Sequence, residues 1–562
     1  MEQFIVTAAL PYANGPLHIG HIAGAYLPSD IFVRYQKLIG NKIIFICGSD
    51  EHGAAITLRA KKENKSPKQI VDFYHKLNKH CFEKLKIGFD VYDRTSSYLH
   101  HQTASDFFTQ LNKKSAFIKK KSTQFFDEKH KQFLADRYIT GTCPKCGFKN
   151  AYGDQCESCG CTLSPDELLN PKSTISGNSP ILKETSHWYL PMQKHEDWLK
   201  IWIEKGLLEN EKHHDPKKWK SHVLGQCKSW LNSGLKERAM TRDLNWGVKV
   251  PLNEAEGKVL YVWLDAPIGY ISATKKWASE NNQNWADYWK NPKTKLINFI
   301  GKDNIVFHCI IFPILLKEHG EYILPHNVPA NEFLNLEGQK ISTSRNHAIW
   351  IHEYLTTFPN KVDVLRYVLC SISPESKDSD FTWKDFQARN NNELVAIFGN
   401  FVNRVIVLIN KYWNGIVPEK NKLETQDNLI IKEISSFANN IGTSIENYKF
   451  REALFELMNL ARLGNKYLAD TEPWKLIKTQ PEKVETILNI SLQIVHNLGI
   501  LSQPFLPNTA KKICQLLNAK LTNWSSAEKI DNIMPGHKIE KAEHLFEIIS
   551  DDQINSEKEK LK

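Results

Sequence analysis

No window of about 20 uninterrupted apolar residues occurs in this 562-residue sequence, so no membrane-spanning helix is expected. A basic leader, an apolar signal core and a small-residue cleavage pattern are missing at the start, where Met1 to Thr7 runs straight into a strand-like segment. Internal repeats and low-complexity tracts are missing too. These absences predict a cytoplasmic protein with no membrane partner. A secreted disulfide scaffold is equally excluded: five of the eleven cysteines crowd between Cys143 and Cys161, a pattern that points to metal. Cys47, Cys81, Cys227, Cys309, Cys370 and Cys514 are scattered through apolar or helical contexts and read as reduced packing residues.

What is present is length and positive charge. A chain of 562 residues exceeds what one hydrophobic core organises, so several domains of about 100 to 200 residues are expected. The formal charge of +10 favours acidic partners, an RNA backbone among them, without proving one.

Phe4 to Leu10 is an apolar run, followed by the turn-rich Pro11-Tyr12-Ala13-Asn14-Gly15-Pro16 and a helical pattern from Leu17 to Leu38. A second run, Lys42 to Cys47, ends in polar Gly48 to Gly53, as a buried parallel strand does at its carboxyl edge. Further strand-like runs span Val259 to Leu264 and Lys295 to Ile300. The fold class expected is therefore α/β, a Rossmann-type open parallel sheet in two halves, residues 1–117 and 236–330, split by an inserted unit at 118–235. The cysteine knuckles occupy about 140–165 of that insert. A loop-bearing region follows at 331–390, then an α-helical bundle at 391–548 with helices over Glu393 to Trp413, Asn428 to Tyr448 and Val484 to Leu501. The charged segment 549–562 reads as a solvated helix end or a fraying tail.

Four groups of residues carry chemistry. His18-Ile19-Gly20-His21 opens the first helix directly after the first strand, where free backbone amides and the helix dipole attract phosphate. Three apart, His18 and His21 share a face and can donate hydrogen bonds to one phosphate group, while Gly20 permits close approach. Downstream, Gly338 precedes Lys340-Ile341-Ser342-Thr343-Ser344-Arg345, a polar loop with cations spaced to meet a leaving pyrophosphate; alone, such a loop is more often plain surface. Cys143, Cys146, Cys156 and Cys159 form two knuckles matching tetrahedral structural zinc with no open catalytic position, and Cys161 is surplus. Finally, Ala9 to Tyr12, Tyr261 to Tyr270 and Gly301 to His308 supply aromatic walls at one sheet edge, with the Asp50 carboxylate available to an ammonium group. In the helical region, Asn400 and Arg404 share a face and Trp474 follows Pro473, a set able to read and stack on unpaired bases or to serve as ordinary helix surface.

The His18 to His21 motif, followed by the Lys340 loop, resembles the signature pair of class I aminoacyl-tRNA synthetases. The usual second signature reads Lys-Met-Ser-Lys-Ser; Lys340 and Ser342 match its first and third positions, Ile341 replaces Met, and Thr343 stands at the second lysine. That departure leaves the sharing of phosphate charge between Lys340 and Arg345 open. The aromatic segments are similar to the methionine-specific branch, and the resemblance extends from Phe4 to about Phe546. It implies a catalytic group of His18, His21, Lys340, Thr343 and Arg345, and ATP contacts at Asn14, Gly20, Gly301, Asp303, Ile341 and Ser342 besides. It implies an amino acid site of Ala9, Leu10, Tyr12, Asp50, Trp263, Pro267, Tyr270 and His308, with Arg242 near Asp50 and Asn304 at its border. Asn400, Arg404 and Trp474 correspond to anticodon readers. The expected activity is charging of tRNA(Met) with L-methionine using ATP and Mg²⁺, with one structural Zn²⁺. The chain reads as a monomer as given, and its charged end resembles a linker after which some relatives continue into a module that would support a dimer. Competing readings are a synthetase for another amino acid, a noncatalytic tRNA-binding protein and a small nucleotidyltransferase.

Overall fold

The computed structural model describes residues 1–134, 136–153, 156, 158–159, 163, 165–343, 345–520 and 523–561; Cys161 and Ser344 lie outside them. Gln3–Ala8 (β1), Lys42–Ser49 (β2), Val91–Arg94 (β3), Thr294–Gly301 (β4) and Pro325–Asn327 (β5) form a parallel sheet ordered β5-β4-β1-β2-β3. Along β1, Phe4, Val6 and Ala8 enter one apolar cluster and Ile5 the other. Both sheet faces are thus covered, the condition under which parallel strands are stable. Winding reverses between β1 and β4, so the loops leaving their carboxyl ends diverge and open a crevice.

Between β3 and β4 the chain leaves the sheet for the expected insert. Ile118–Asp127 pairs antiparallel with Ile181–Leu190, and between them lies a small sheet of Ile139–Thr142, Ala151–Tyr152 and Leu169–Ser173. The small sheet has its own modest core, including Leu134, Tyr138, Ile139 and the buried Cys143 and Cys156.

One expected strand is corrected. In the Val259 to Leu264 run only Val259–Leu260 is extended, and it pairs with Thr241–Arg242, outside the main sheet; Val262–Glu280 is a helix. Leu264, Ile268 and Ile271, all fully buried, recur at helical spacing, a period that six apolar residues are too few to reveal. The first helix starts at Ile19 and contains a π-helical turn at Ile22–Tyr26.

The expected bundle helices appear as Asn400–Trp413, Thr425–Glu446 and Pro481–Ser502, joined by Phe450–Thr471. Two stretches among the described residues are long and apolar enough to cross a membrane, 383–413 and Pro481–Ser502. The second is 94% buried in its apolar window, so its apolarity is accounted for by its place at the centre of the bundle. The bundle and one face of the sheet share a continuous core, from Phe4 and Phe32 to Leu498 and Ile554. At that junction the buried Arg366 donates to Asp30 Oδ2 (2.7 Å), Leu85 O (3.2 Å), Pro504 O (2.9 Å) and Phe505 O (2.9 Å). Of the two readings of the charged end the structure has the helix: Asp551–Glu559 is helical and mostly exposed, with Ile554 and Glu557 buried, and is tied to Gln387 through Asp551.

Candidate active site

The crevice at the β1/β4 switch is a cleft of about 550 Å³ continuous with a pocket of about 140 Å³. Ala9, Leu10, Tyr12, Asp50 and Asn304 line both. His18, Gly20, His21, Gly301, Asp303, Lys340 and Ile341 line the large cleft.

The histidine end is built by the start of the first helix. His18 caps it in extended conformation, and its amide donates to His21 Nδ1 at 3.1 Å. The neutral His21 ring therefore carries its proton on Nε2. The two rings stack at 3.6 Å. Burial lowers the His21 pKa to about 4 and that of His18 well below the usual range. Both are neutral at pH 7, hydrogen-bond donors and not fixed cations. His18 Nδ1 is sealed from solvent without a partner among the described residues, a polar atom in want of a ligand. A side chain at Gly20 would crowd the His18 ring at 3.0 Å and Ile341 at 3.1 Å, so glycine lets the downstream loop close over the histidines. That loop is a hairpin turned at Glu337 and Gly338, both with positive φ, and paired again between Ser342 and His347. Lys340 is exposed at the cleft wall with no ion pair among the described residues. Thr343 and Arg345 are exposed nearer the loop tip and do not line the cleft.

The small pocket is walled by Val262, Trp263, Ala266, Tyr270, Phe307 and His308. His308 Nδ1 lies 3.1 Å from the Asn304 carbonyl, which only accepts, so Nε2 accepts from the Tyr270 hydroxyl at 2.9 Å. Burial lowers the His308 pKa to about 4, keeping this wall uncharged. At the seam of the two cavities, Asp50 Oδ1 is buried with no partner among the described residues. Burial, reinforced by the Asp265 carboxylate, pushes the Asp50 pKa up to about 8. A carboxylate so placed is satisfied by an ammonium group.

In the insert, the Sγ atoms of Cys143, Cys146, Cys156 and Cys159 lie within 4.8 Å of one another, a group that could hold a metal ion. On the bundle, the Arg404 guanidinium sits 5.1 Å from the centre of the Trp474 ring, with Asn400 exposed one turn away.

A family model described as tRNA synthetases class I (M) matches residues 4–406, and one described as the anticodon binding domain of methionyl tRNA ligase matches 417–562. The chain belongs to the methionyl-tRNA synthetase family. The methionine–tRNA ligases of Cytophaga hutchinsonii and Christiangramia forsetii are 58% and 57% identical over 567 residues, covering 100% of this chain and 81% of each relative. In fold the chain is similar to a Mycobacterium tuberculosis methionyl-tRNA synthetase solved with methionyl-adenylate, with TM-score 0.79 and 21% identity over 97% of this chain and 100% of that one.

Most residues that the methionyl-tRNA synthetase resemblance singled out meet in these two cavities. Four do not. Asn14 stands beside the cleft, its carbonyl held by Arg59. Pro267 is buried inside its helix, and the neighbouring Ala266 lines the pocket instead. Arg242 stacks on Tyr261 at 3.9 Å and donates to Ala239 O and Thr241 O, not to Asp50. Arg345 stays on the outer loop. Val262, Ala266 and Phe307, inside the segments read as pocket walls but not singled out there, also line the pocket, and Glu332, Phe333 and Asn335 of the cleft were missed by sequence reading. Trp263, Ala266 and Tyr270 lie on one helix face, a signal hidden when the segment is read as a strand.

Proposed function

We propose that this chain activates L-methionine with ATP to methionyl-adenylate and transfers the methionyl group to the 3′-terminal adenosine of tRNA(Met), in the cytoplasm, for initiation and elongation of protein synthesis. The observation that carries the active-site reading is the joined pair of cavities. One is small and aromatic, with the Asp50 carboxylate at its mouth, whose Oδ1 has no partner among the described residues; the other is large, with paired neutral histidines and, at its wall, a lysine with no ion pair among the described residues.

In this reading the thioether lies against Trp263, Ala266 and Tyr270, and the ammonium group pairs with Asp50. The methionine carboxylate then points into the large cleft and attacks the α-phosphate of ATP, displacing pyrophosphate. The ribose lies by Gly301 and Asp303. His18 and His21 donate hydrogen bonds to oxygens whose charge grows in the transition state, and Lys340 meets the departing pyrophosphate. Mg²⁺ arriving with ATP supplies further neutralisation of the phosphates. The tRNA 2′-hydroxyl then attacks the adenylate carbonyl, and positioning suffices without a protein nucleophile. Arg404, Trp474 and Asn400 contact the anticodon.

Zinc suits the four cysteines. Tetrahedral Zn–S bonds of about 2.3 Å require sulfurs about 3.8 Å apart, and Cys143–Cys159 and Cys146–Cys156 stand at 3.9 and 3.5 Å. With four protein ligands such an ion is structural.

ATP–pyrophosphate exchange with each of the twenty amino acids tests the reading, on wild type and on Lys340→Ala. Methionine alone should support exchange, and the variant should lose most of it. Tight tRNA binding with no exchange for any amino acid would leave an RNA-binding protein in its place.

A further inference from the structure

Behind the small pocket, out of reach of any ligand in it, lies a fully buried relay of polar groups. Asp265 and His100 are 0% exposed and His52 is 2% exposed. Asp265 Oδ2 accepts from His52 Nδ1 at 2.6 Å, and Oδ1 accepts from His100 Nε2 at 2.5 Å. The far nitrogen of His100 lies 3.0 Å from Ser272 Oγ, on the same helix as Asp265. The His52 carbonyl accepts from the Tyr12 hydroxyl at 2.7 Å.

The members come from four different segments, three of which line the pocket, while the helix that carries His100 contributes nothing to its lining and lies behind it. Tyr12 is on the loop after β1, His52 is two residues beyond Asp50 on the loop after β2, and His100 is on the helix Tyr98–Lys113. Asp265 lies in the first turn of Val262–Glu280, between the wall residues Trp263 and Ala266. Position there favours its negative charge through the helix dipole. The same helix is pressed toward the pocket at Gly269, where a side chain would meet Leu10 Cδ1 at 3.0 Å.

We infer that Asp265, through His52 and His100, is the positioning residue that fixes the walls of the small pocket relative to one another, and so sets its affinity for the amino acid side chain and ammonium group. It touches no substrate. Both its oxygens are occupied by imidazole donors, which hold its carboxyl below the usual range against the effect of burial. A charge-assisted pair of this kind resists displacement more than neutral hydrogen bonds would. The inference rests on the small pocket being the methionine site.

The test is exchange kinetics on Asp265→Asn, His100→Ala and His100→Gln. In Asp265→Asn, an amide nitrogen faces an imidazole donor and one bond is lost. Measured at about pH 8.5, where Asp50 is mostly ionised with or without the Asp265 charge beside it, KM for methionine should rise on the order of tenfold while KM for ATP stays within about twofold. His100→Ala should behave likewise, and His100→Gln, whose amide can donate to Asp265 and accept from Ser272, should recover most of the affinity. The two His100 variants read the same quantity should Asp265→Asn not fold. Equal rises in both KM values, no change in methionine KM, or failure of His100→Gln to outperform His100→Ala would each overturn the inference. Absence of methionine exchange in the wild type would overturn the site reading itself, a separate result.

Discussion

Asp50→Asn tests the chemistry at the seam of the two cavities. Leaving a buried ammonium group without its partner costs about 3 to 5 kcal/mol. Part of that attraction is offset in the wild type, because a carboxyl with a pKa of about 8 must first ionise, which at pH 7 takes about 1.4 kcal/mol. The net loss is then about 1.6 to 3.6 kcal/mol, or about 15- to 430-fold in kcat/KM for methionine. The sign of the pH dependence follows. Burial favours neutral Asp50 and the substrate needs it charged, so wild-type affinity should rise about tenfold per pH unit below 8 and level off above it; the variant should show no such rise. Pyrophosphate exchange at pH 6, 7 and 8 measures this. 4-(Methylthio)butanoate, which lacks the amino group, supplies the control: wild type should discriminate strongly against it and the variant hardly at all. A variant within threefold of wild type on methionine at pH 7, with unchanged melting temperature, would refute the pairing.

Lys340→Ala should lower the exchange kcat about a hundredfold with little change in methionine KM, since the lysine meets charge that develops as pyrophosphate leaves; a pure KM effect would speak against that role. Arg404→Ala and Trp474→Ala should each raise the KM for tRNA(Met) about tenfold in aminoacylation and leave exchange untouched. Metal analysis should find one zinc per chain. Its removal by a chelator should expose the backbone amides of 139–173 to hydrogen exchange while β1 and β4 stay protected, because the knuckle core is too small to hold without the ion. Homocysteine should support ATP turnover at a rate lower by the 1 to 3 kcal/mol or so that one carbon commands; no turnover would show a stricter pocket.

The parallel strands and the cysteine knuckles were legible because each depends on local pattern: apolar runs ending in polar clusters, and paired thiols at knuckle spacing. His18, Asp50 and Lys340 were legible through motif context. What escaped reading is set by packing between distant segments. Ala266 reaches the pocket only because residues 262 to 280 are helical, and the run Val259 to Leu264 carries too few residues to show a period of 3.6. The Asp265 relay joins residues 165 and 213 positions apart, and nothing local marks His52 or His100 as its partners. Arg242 lies near Tyr261 because a short antiparallel pair puts it there, a contact invisible in one dimension.

The continuous core across the sheet and the bundle, with Arg366 bonded to both, bears on how such a chain can be engineered. A cut near residue 390 would expose the apolar flanks of Phe32, Tyr35 and Leu365 on one fragment and of Ile434, Tyr448 and Leu498 on the other. Neither piece would remain a free-standing unit. Transplanting the bundle onto another catalytic body would therefore require carrying the matching face of the recipient with it.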